Sequence, residues 1–322
     1  MSGGKCLRIW SGDWDLPSVD YNCLAAMAYC KFTETPVTFQ GTNNPFWSKT
    51  GGLPVLKHEG GSEYNLTDII NFLRKQGRNA EFGLSKKQNA DILAYTSLIE
   101  EKLLPALLYC QWVDTKNLDD FTRPWYFKAM PFPFRYYLPA SLEKSMDDKV
   151  RSMCGCGTLT NADIEKKVYR EARECLNQLS NKLGTFDFFY GKNPTYLDAV
   201  IFGYLAVLYK TPLPNNPLKH HIQSCDNLVR FINRILHRFF QLTPEETTEQ
   251  ERKESERQQE KQDISDFPHK KRNMIISALV ALSAMVGYAL LSGLVQIEIT
   301  ETNGEGINND YEDDFEPDED ED

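Results

Sequence analysis

The spacing of apolar residues divides the chain into a short mixed region and a long helical one. In the mixed region, β-rich runs and helical stripes follow each other in the order β-α-β and then β-β-α. The predicted strands are 6–10, 37–40, 53–56 and 62–65, and the predicted helices are 17–29 and 66–76. This order predicts a small α+β domain over residues 1–80.

From residue 84 the apolar positions recur with the period of an α-helix. One stripe runs from Ile92 to Ala106, and Pro105 within it predicts a kink or a break at a helix cap. Three further helices are predicted at 161–183, 195–210 and 218–240, the first two after Ser/Thr-x-x-acid caps. Residues 84–242 are therefore predicted to form an all-helical domain.

One stretch near the C-terminus is apolar on every side. From Asn273 to Ile297 the only ionisable side chain is the phenol of Tyr288. As a helix, roughly 22 to 24 of these residues reach about 33 to 36 Å, which exceeds the ~30 Å core of a bilayer. The pattern predicts a transmembrane helix over 273–297, with a buried core helix as the alternative. Its anchor positions are Met274, Leu282, Gly287, Leu291 and Val295.

The two flanks of this span carry opposite charge. Lys270, Lys271 and Arg272 precede it, whereas residues 298–322 hold 13 acidic and no basic side chains. Because basic flanks favour the cytosolic side, residues 1–272 are predicted to face the cytosol. Residues 243–268 are rich in charged side chains and glutamine, and this composition predicts a tether. The acidic tail is predicted to be disordered.

The net charge of the chain belongs to that tail. The 322 residues include 36 basic and 46 acidic side chains, a net charge of -10. Without the 13 acidic residues of the tail, 33 acidic residues remain, and the rest of the chain carries 36 - 33 = +3. The basic residues are scattered, and no glycine-rich phosphate loop is present. A nucleic-acid partner is therefore not expected.

The eight cysteines follow neither a disulfide pattern nor a metal pattern. They are dispersed, and a cytosol-facing domain lies in a reducing compartment. Cys154 and Cys156 form the closest pair, but a zinc site needs four ligands at ordered spacing, and His58 and His220 complete no motif. No metal and no cofactor are predicted. The cysteines on apolar helix faces are expected to be small buried hydrophobic residues.

Two local motifs resemble glutathione transferases. Residues 53–56 resemble their cis-proline strand, and residues 186–199 resemble the loop and helix cap of their helical domain. Pro54, Thr195 and Asp198 are the fold-specifying positions within these motifs. The resemblance implies an α+β, glutathione-transferase-like fold. A thioredoxin-like domain would precede the all-helical domain, with the transmembrane helix after both.

Further motifs between residues 7 and 297 identify the chain as a member of the metaxin family. They are residues 10–19, 100–105, 130–134, 169–176 and 284–293. The last of these, in the membrane span, resembles the first paralogue of that family. The resemblance implies a mitochondrial outer-membrane protein of import and β-barrel sorting and assembly. It implies a second metaxin and the sorting and assembly machinery as partners, and a tail in the intermembrane space.

A few polar positions decide whether a glutathione site is retained. In transferases a Ser, Cys or Tyr after the first strand stabilises the thiolate, and a serine opens the helix after the fourth strand. Ser11 stands at the first position, whereas the second falls on Asn65 and Leu66, which offer no hydroxyl. We interpret the chain as a non-catalytic scaffold, with a membrane-anchored glutathione-dependent transferase as the alternative. An empty polar cleft lined by Ser11 and Pro54 would favour the enzyme, and a filled cleft the scaffold.

An aromatic run at residues 125–137 is the remaining unusual feature. It includes Trp125, Phe132 and Phe134. One interpretation is packing between domains around the prolines of this run. The other is an exposed patch that binds a partner protein or the membrane surface.

Overall fold

A four-stranded sheet forms the N-terminal part of the fold. The computed structural model describes residues 4–44, 48, 51–132, 134–155, 160–241 and 278–285. Strand β1 (Lys5–Ile9) pairs in parallel with β2 (Val37–Gly41) and antiparallel with β3 (Val55–His58), and a hairpin adds β4 (Gly61–Tyr64). The spatial order β2-β1-β3-β4 confirms the small sheet that the apolar pattern predicts.

Two helices cover this sheet, α1 (Tyr21–Phe32) and α2 (Leu66–Lys75). The predicted start of α1 at Pro17 is wrong, because Asp20 is the residue that begins the helix. Its Oδ1 accepts a hydrogen bond of 2.8 Å from the N–H of Cys23, which satisfies a free donor of the first turn. The preceding residues form a loop in which Trp14 has a positive φ of 56°.

Helices dominate the described residues after position 85. They are α3 (Lys86–Leu98), α4 (Leu104–Leu108), α5 (Thr115–Asn117), α6 (Arg123–Ala129), α7 (Leu138–Met153), α8 (Asn161–Leu183), α9 (Tyr196–Lys210), α10 (Pro217–Gln223) and α11 (Asp226–Phe239). Together with the sheet they form one compact unit over residues 1–241.

The long helix predicted around Pro105 widens before the proline. A π-helical turn, Ile99–Leu103, joins α3 to α4, and the N–H of Leu104 donates to the carbonyl of Ile99, five residues earlier. Pro105 lies in the first turn of α4, where its missing N–H costs little. The proline is thus accommodated by a wider turn.

The last predicted helix, 218–240, is two helices in the structure. Ser224 and Cys225 separate α10 from α11. The hydroxyl of Ser224 donates to the carbonyl of His221 at 2.7 Å, and Cys225 has a non-helical ψ of 79°. The single-helix prediction is wrong because a serine side chain competes locally for helical carbonyls, which the apolar spacing does not reveal.

Outside residues 1–241, the structure describes one helical segment, 278–285. None of the helices in the described residues is both long and apolar enough to cross a bilayer. The predicted tether 243–268, the tail 298–322 and the rest of the span 273–297 lie outside the described residues.

Candidate functional site

Ser11 follows strand β1 and Pro54 precedes strand β3, which places both residues at the same end of the sheet. Strand β1 is antiparallel to β3, with Arg8 opposite Val55, so β1 ends where β3 begins. Ser11 is half-buried, and its N–H donates to Oδ1 of Asn43 at 3.3 Å. Pro54 is buried and follows a cis peptide bond. This is the position at which a transferase-like site would start.

The start of α2 lacks the groups that a glutathione site needs. Asn65 precedes the helix with φ 69° and ψ 151°, and its side chain forms no capping hydrogen bond. Leu66 is the first helical residue, so no hydroxyl lies where transferases place a serine. The start of α2 therefore places an amide and a hydrocarbon side chain, Asn65 and Leu66, at the positions where the transferase resemblance leads one to expect a pair that includes a serine.

Aromatic side chains fill the space between the β1–α1 loop and the helices. We call this set the cleft cluster; it consists of Trp10, Trp14, Trp112, Phe121, Trp125 and Tyr126. The ring of Tyr126 lies 5.5 Å from Trp10 and 4.8 Å from Trp112, between their centroids. Trp14 lies 5.2 Å from Phe121 and 5.3 Å from Trp125. Such distances are those of packed aromatic pairs.

A hydrogen bond fixes the loop against α6. The indole N–H of Trp125 donates to Oδ2 of Asp13 at 2.6 Å, while Oδ1 of Asp13 accepts from the N–H of Trp14 at 2.8 Å. A small pocket remains beside the cluster, lined by Trp14, Val19, Trp125 and Thr211 among other described residues. Neither Ser11 nor Pro54 lines this pocket. The cleft cluster is therefore a packed set of side chains that joins the β1–α1 loop to α6.

Thr195 and Asp198 form the cap that begins α9. Oδ2 of Asp198 accepts from the N–H and the hydroxyl of Thr195 at 2.8 and 2.7 Å, and Oδ1 accepts from the N–H of Phe189 at 2.9 Å. Asp198 is fully buried. Burial raises the pKa of its carboxyl to about 6, although the hydrogen bonds from Phe189 and Thr195 act in the opposite direction. These contacts are structural and fix the loop before α9.

Glu81 joins the sheet part to the helical part at the same helix end. Its Oε1 accepts from the N–H of Tyr196 at 2.7 Å, and its Oε2 contacts Nε and Nη2 of Arg74, both at 3.1 Å. The hydroxyl of Tyr29 donates to the same Oε2 at 3.4 Å. Glu81 thus binds α1, α2 and the first turn of α9 together. Nothing in the apolar pattern marks this residue.

The buried cysteines show no sign of thiol chemistry. Cys23, Cys30, Cys110 and Cys175 are each at most 1% exposed. Burial raises the pKa of the Cys30, Cys110 and Cys175 thiols to about 12 and also raises that of Cys23. Because the thiolate is the reactive form, these side chains are poor nucleophiles at neutral pH. Among the described residues, no group of three or more His, Cys, Asp or Glu side chains is placed to hold a metal.

The structure separates the three predicted partner residues. Trp125 is half-buried in the cleft cluster, and Phe134 is half-buried in a short 3₁₀ turn, Phe134–Tyr136. Phe132 is 74% exposed. The first part of the aromatic run therefore packs inside, whereas Phe132 lies at the surface, and its binding to a partner or to the membrane stays a prediction.

The predicted anchor positions fall mostly outside the described residues. Leu282 lies in the helical segment 278–285 and is exposed. The other positions are outside the described residues: Met274, Gly287, Leu291, Val295 and the flank Lys270, Lys271 and Arg272.

Comparisons with known protein families match two parts of the chain. A family described as "Outer mitochondrial membrane transport complex protein" matches residues 23–143. A second, described as "Glutathione S-transferase, C-terminal domain", matches residues 172–235. The first match contains most of the cleft cluster, and the second contains Thr195 and Asp198.

Full-length relatives decide the family. The chain is 40% identical to Metaxin-1 of Mus musculus over 302 residues, which covers 93% of this chain and 94% of that protein. The chain belongs to the metaxin family. It is also 43% identical to Metaxin-3 of Danio rerio over 235 residues, covering 73% of this chain and 75% of that protein. The family membership implied by the sequence motifs is confirmed.

Solved structures show the same fold at low sequence identity. The crystal structure of glutathione transferase GSTFuA3 from Phanerochaete chrysosporium matches with a TM-score of 0.51 and 10% identity. It covers 76% of this chain and 99% of that one. This likeness confirms the transferase-like fold, with its small sheet and helical part, in this member of the metaxin family.

Proposed function

We propose that this metaxin family member is a non-catalytic subunit of the machinery that imports proteins and assembles β-barrels at the mitochondrial outer membrane. The single observation that carries the proposal is full-length similarity to the metaxins. The cleft cluster supports a scaffold role, because its aromatic rings pack against one another where the β1–α1 loop meets the helices. In this proposal the transferase fold presents surfaces to partners and performs no chemistry.

The anchor proposed for this role is the uncharged stretch 273–297. Residues 1–80 and 84–242 would form the thioredoxin-like and helical domains on the cytosolic side, joined by the tether 243–268 to the membrane. The basic flank before the span supports this orientation. The acidic tail 298–322 would then lie in the intermembrane space. A second metaxin and the sorting and assembly machinery are the proposed partners.

A membrane-anchored glutathione-dependent transferase is the second candidate. Two observations favour it, namely the cis peptide bond before Pro54 and the position of Ser11 after β1. Against it stand Leu66 in place of a serine and the cleft cluster across the adjacent space. The first candidate accounts for all four observations, because a scaffold retains the backbone of the fold without its catalytic side chains.

Copurification from intact mitochondria tests the proposed partners. We expect the tagged full-length chain to recover a second metaxin and subunits of the β-barrel assembly machinery in near-stoichiometric amounts. A tagged chain lacking residues 273–297 is the control and should lose most of this recovery, since it is no longer held at the membrane. Recovery of neither partner with the intact, membrane-inserted chain would contradict the proposal.

A further inference from the structure

Three exposed aromatic side chains and one cation lie together between α6 and α7, and a fourth exposed ring, Tyr137, is next to them in sequence. We call it the surface patch; its members are Phe127, Phe132, Arg135, Tyr136 and Tyr137. The ring of Tyr136 lies 5.5 Å from that of Phe127 and 6.2 Å from that of Phe132. The guanidinium of Arg135 lies 5.6 Å from the centroid of Phe127. Phe132 and Tyr137 are each 74% exposed.

This exposure distinguishes the surface patch from the cleft cluster. Trp10 and Trp112 of the cleft cluster are 6% and 5% exposed, whereas every aromatic ring of the patch is at least 39% exposed. Single exposed apolar side chains are common on protein surfaces, whereas several large aromatic side chains in contact with one another usually mark a binding site. The stability of the described fold does not explain the patch, because its rings are not buried.

The charged side chains within the segment that carries the patch are all basic. From Phe121 to Leu142 the sequence contains Arg123, Lys128 and Arg135 and no acidic residue. Arg123 pairs with Asp119 and with Glu143. Lys128 and Arg135 form no ion pair with any residue that the structure describes. The patch therefore combines aromatic rings with the exposed cation of Lys128 and the half-buried cation of Arg135.

We propose that the surface patch docks the folded body on the anionic cytosolic surface of the bilayer. Tyrosine and phenylalanine rings partition into the region of the lipid headgroups, and nearby lysine and arginine side chains pair with lipid phosphates. The proposal rests on the proposed anchor 273–297, which would hold the body close to the membrane surface. A small patch with weak affinity for lipid is then sufficient for docking, because the anchor keeps the local concentration of membrane surface high.

Photo-crosslinking of the full-length chain in liposomes tests this docking. Phe132 is replaced by p-benzoylphenylalanine, and lipid adducts are measured by mass spectrometry with 20% anionic phospholipid and with phosphatidylcholine alone. Phe82, which is 92% exposed and lies outside the patch, carries the same probe as a matched control. We expect abundant lipid adducts from position 132 with anionic lipid, and few from position 82. Reversing charge with Lys128→Glu should lower the adduct yield by about five-fold or more.

Two outcomes would overturn the proposal. The first is an equal yield of lipid adducts from positions 132 and 82 when the chain floats together with the liposomes. The second is crosslinking of position 132 to a protein and not to lipid in intact mitochondria, which would make the patch a protein interface. Failure of the chain to float with liposomes would instead contradict the proposed anchor, so the two failures are distinguishable.

Discussion

Replacing Gly203 with valine is expected to lower the free energy of unfolding by about 3 kcal/mol or more. Gly203 lies in the middle of α9 where α1 crosses it. A Cβ at this position would lie 2.3 Å from the carbonyl oxygen of Tyr21 and 3.3 Å from Cβ of Ala25. Since Tyr21 and Ala25 are parts of α1, the helix backbones would have to separate. This separation would also displace the loop that carries Trp14 into the cleft cluster.

Chemical denaturation of the full-length protein measures this effect. Gly52→Val is the matched control, because Gly52 is exposed and no atom of the described residues lies within 4 Å of an added Cβ. We expect the control to change the free energy of unfolding by less than about 0.5 kcal/mol. If Gly203→Val were as stable as the control, the close packing of α1 on α9 would be refuted.

Replacing Glu81 with alanine is expected to cost about 2 to 3 kcal/mol. The substitution leaves the N–H of Tyr196 without its acceptor and the guanidinium of Arg74 without its carboxylate. The Glu81 side chain is 6% exposed, but that of Arg74 is 35% exposed, so water compensates part of the loss. For a domain of this size, the midpoint of thermal unfolding should fall by about 4 to 12 °C.

Glu101→Ala is the control for the loss of one paired carboxylate. Glu101 also pairs with a cation, Lys102, at 3.0 Å, but its side chain is 71% exposed. Exposed pairs contribute little, so this variant should lie within about 1 kcal/mol of the wild type. Equal stability of the two variants would show that Glu81 does not connect the sheet part to the helical part.

The apolar spacing predicts the elements of this fold better than their ends and their contacts. The strands and α2 follow directly from it, since alternation and helical stripes reflect which faces are buried. The start of α1 depends on a single cap at Asp20, and the break between α10 and α11 depends on the hydroxyl of Ser224. Such local hydrogen bonds override the periodicity and leave no apolar signature.

The cleft is predictable only in part. Ser11, Pro54 and the Asn65–Leu66 pair can be identified by comparison with the transferase pattern, because each has a fixed position relative to a strand or a helix. The cleft cluster could not be predicted in this way, since Trp14 and Trp125 are distant in sequence and meet only in the folded chain. The density of aromatic residues near both positions was the only available signal. Glu81 had none.

Complementation of cells that lack this chain tests the central claim most directly. The measurement is the rate at which newly imported β-barrel proteins reach their assembled form in isolated mitochondria. We predict that loss of the chain slows assembly, and that wild type and Ser11→Ala restore it equally, because the role of the protein depends on its surfaces and not on a glutathione thiolate. Unchanged assembly without the chain, or rescue by wild type but not by a stably folded Ser11→Ala variant, would contradict the account.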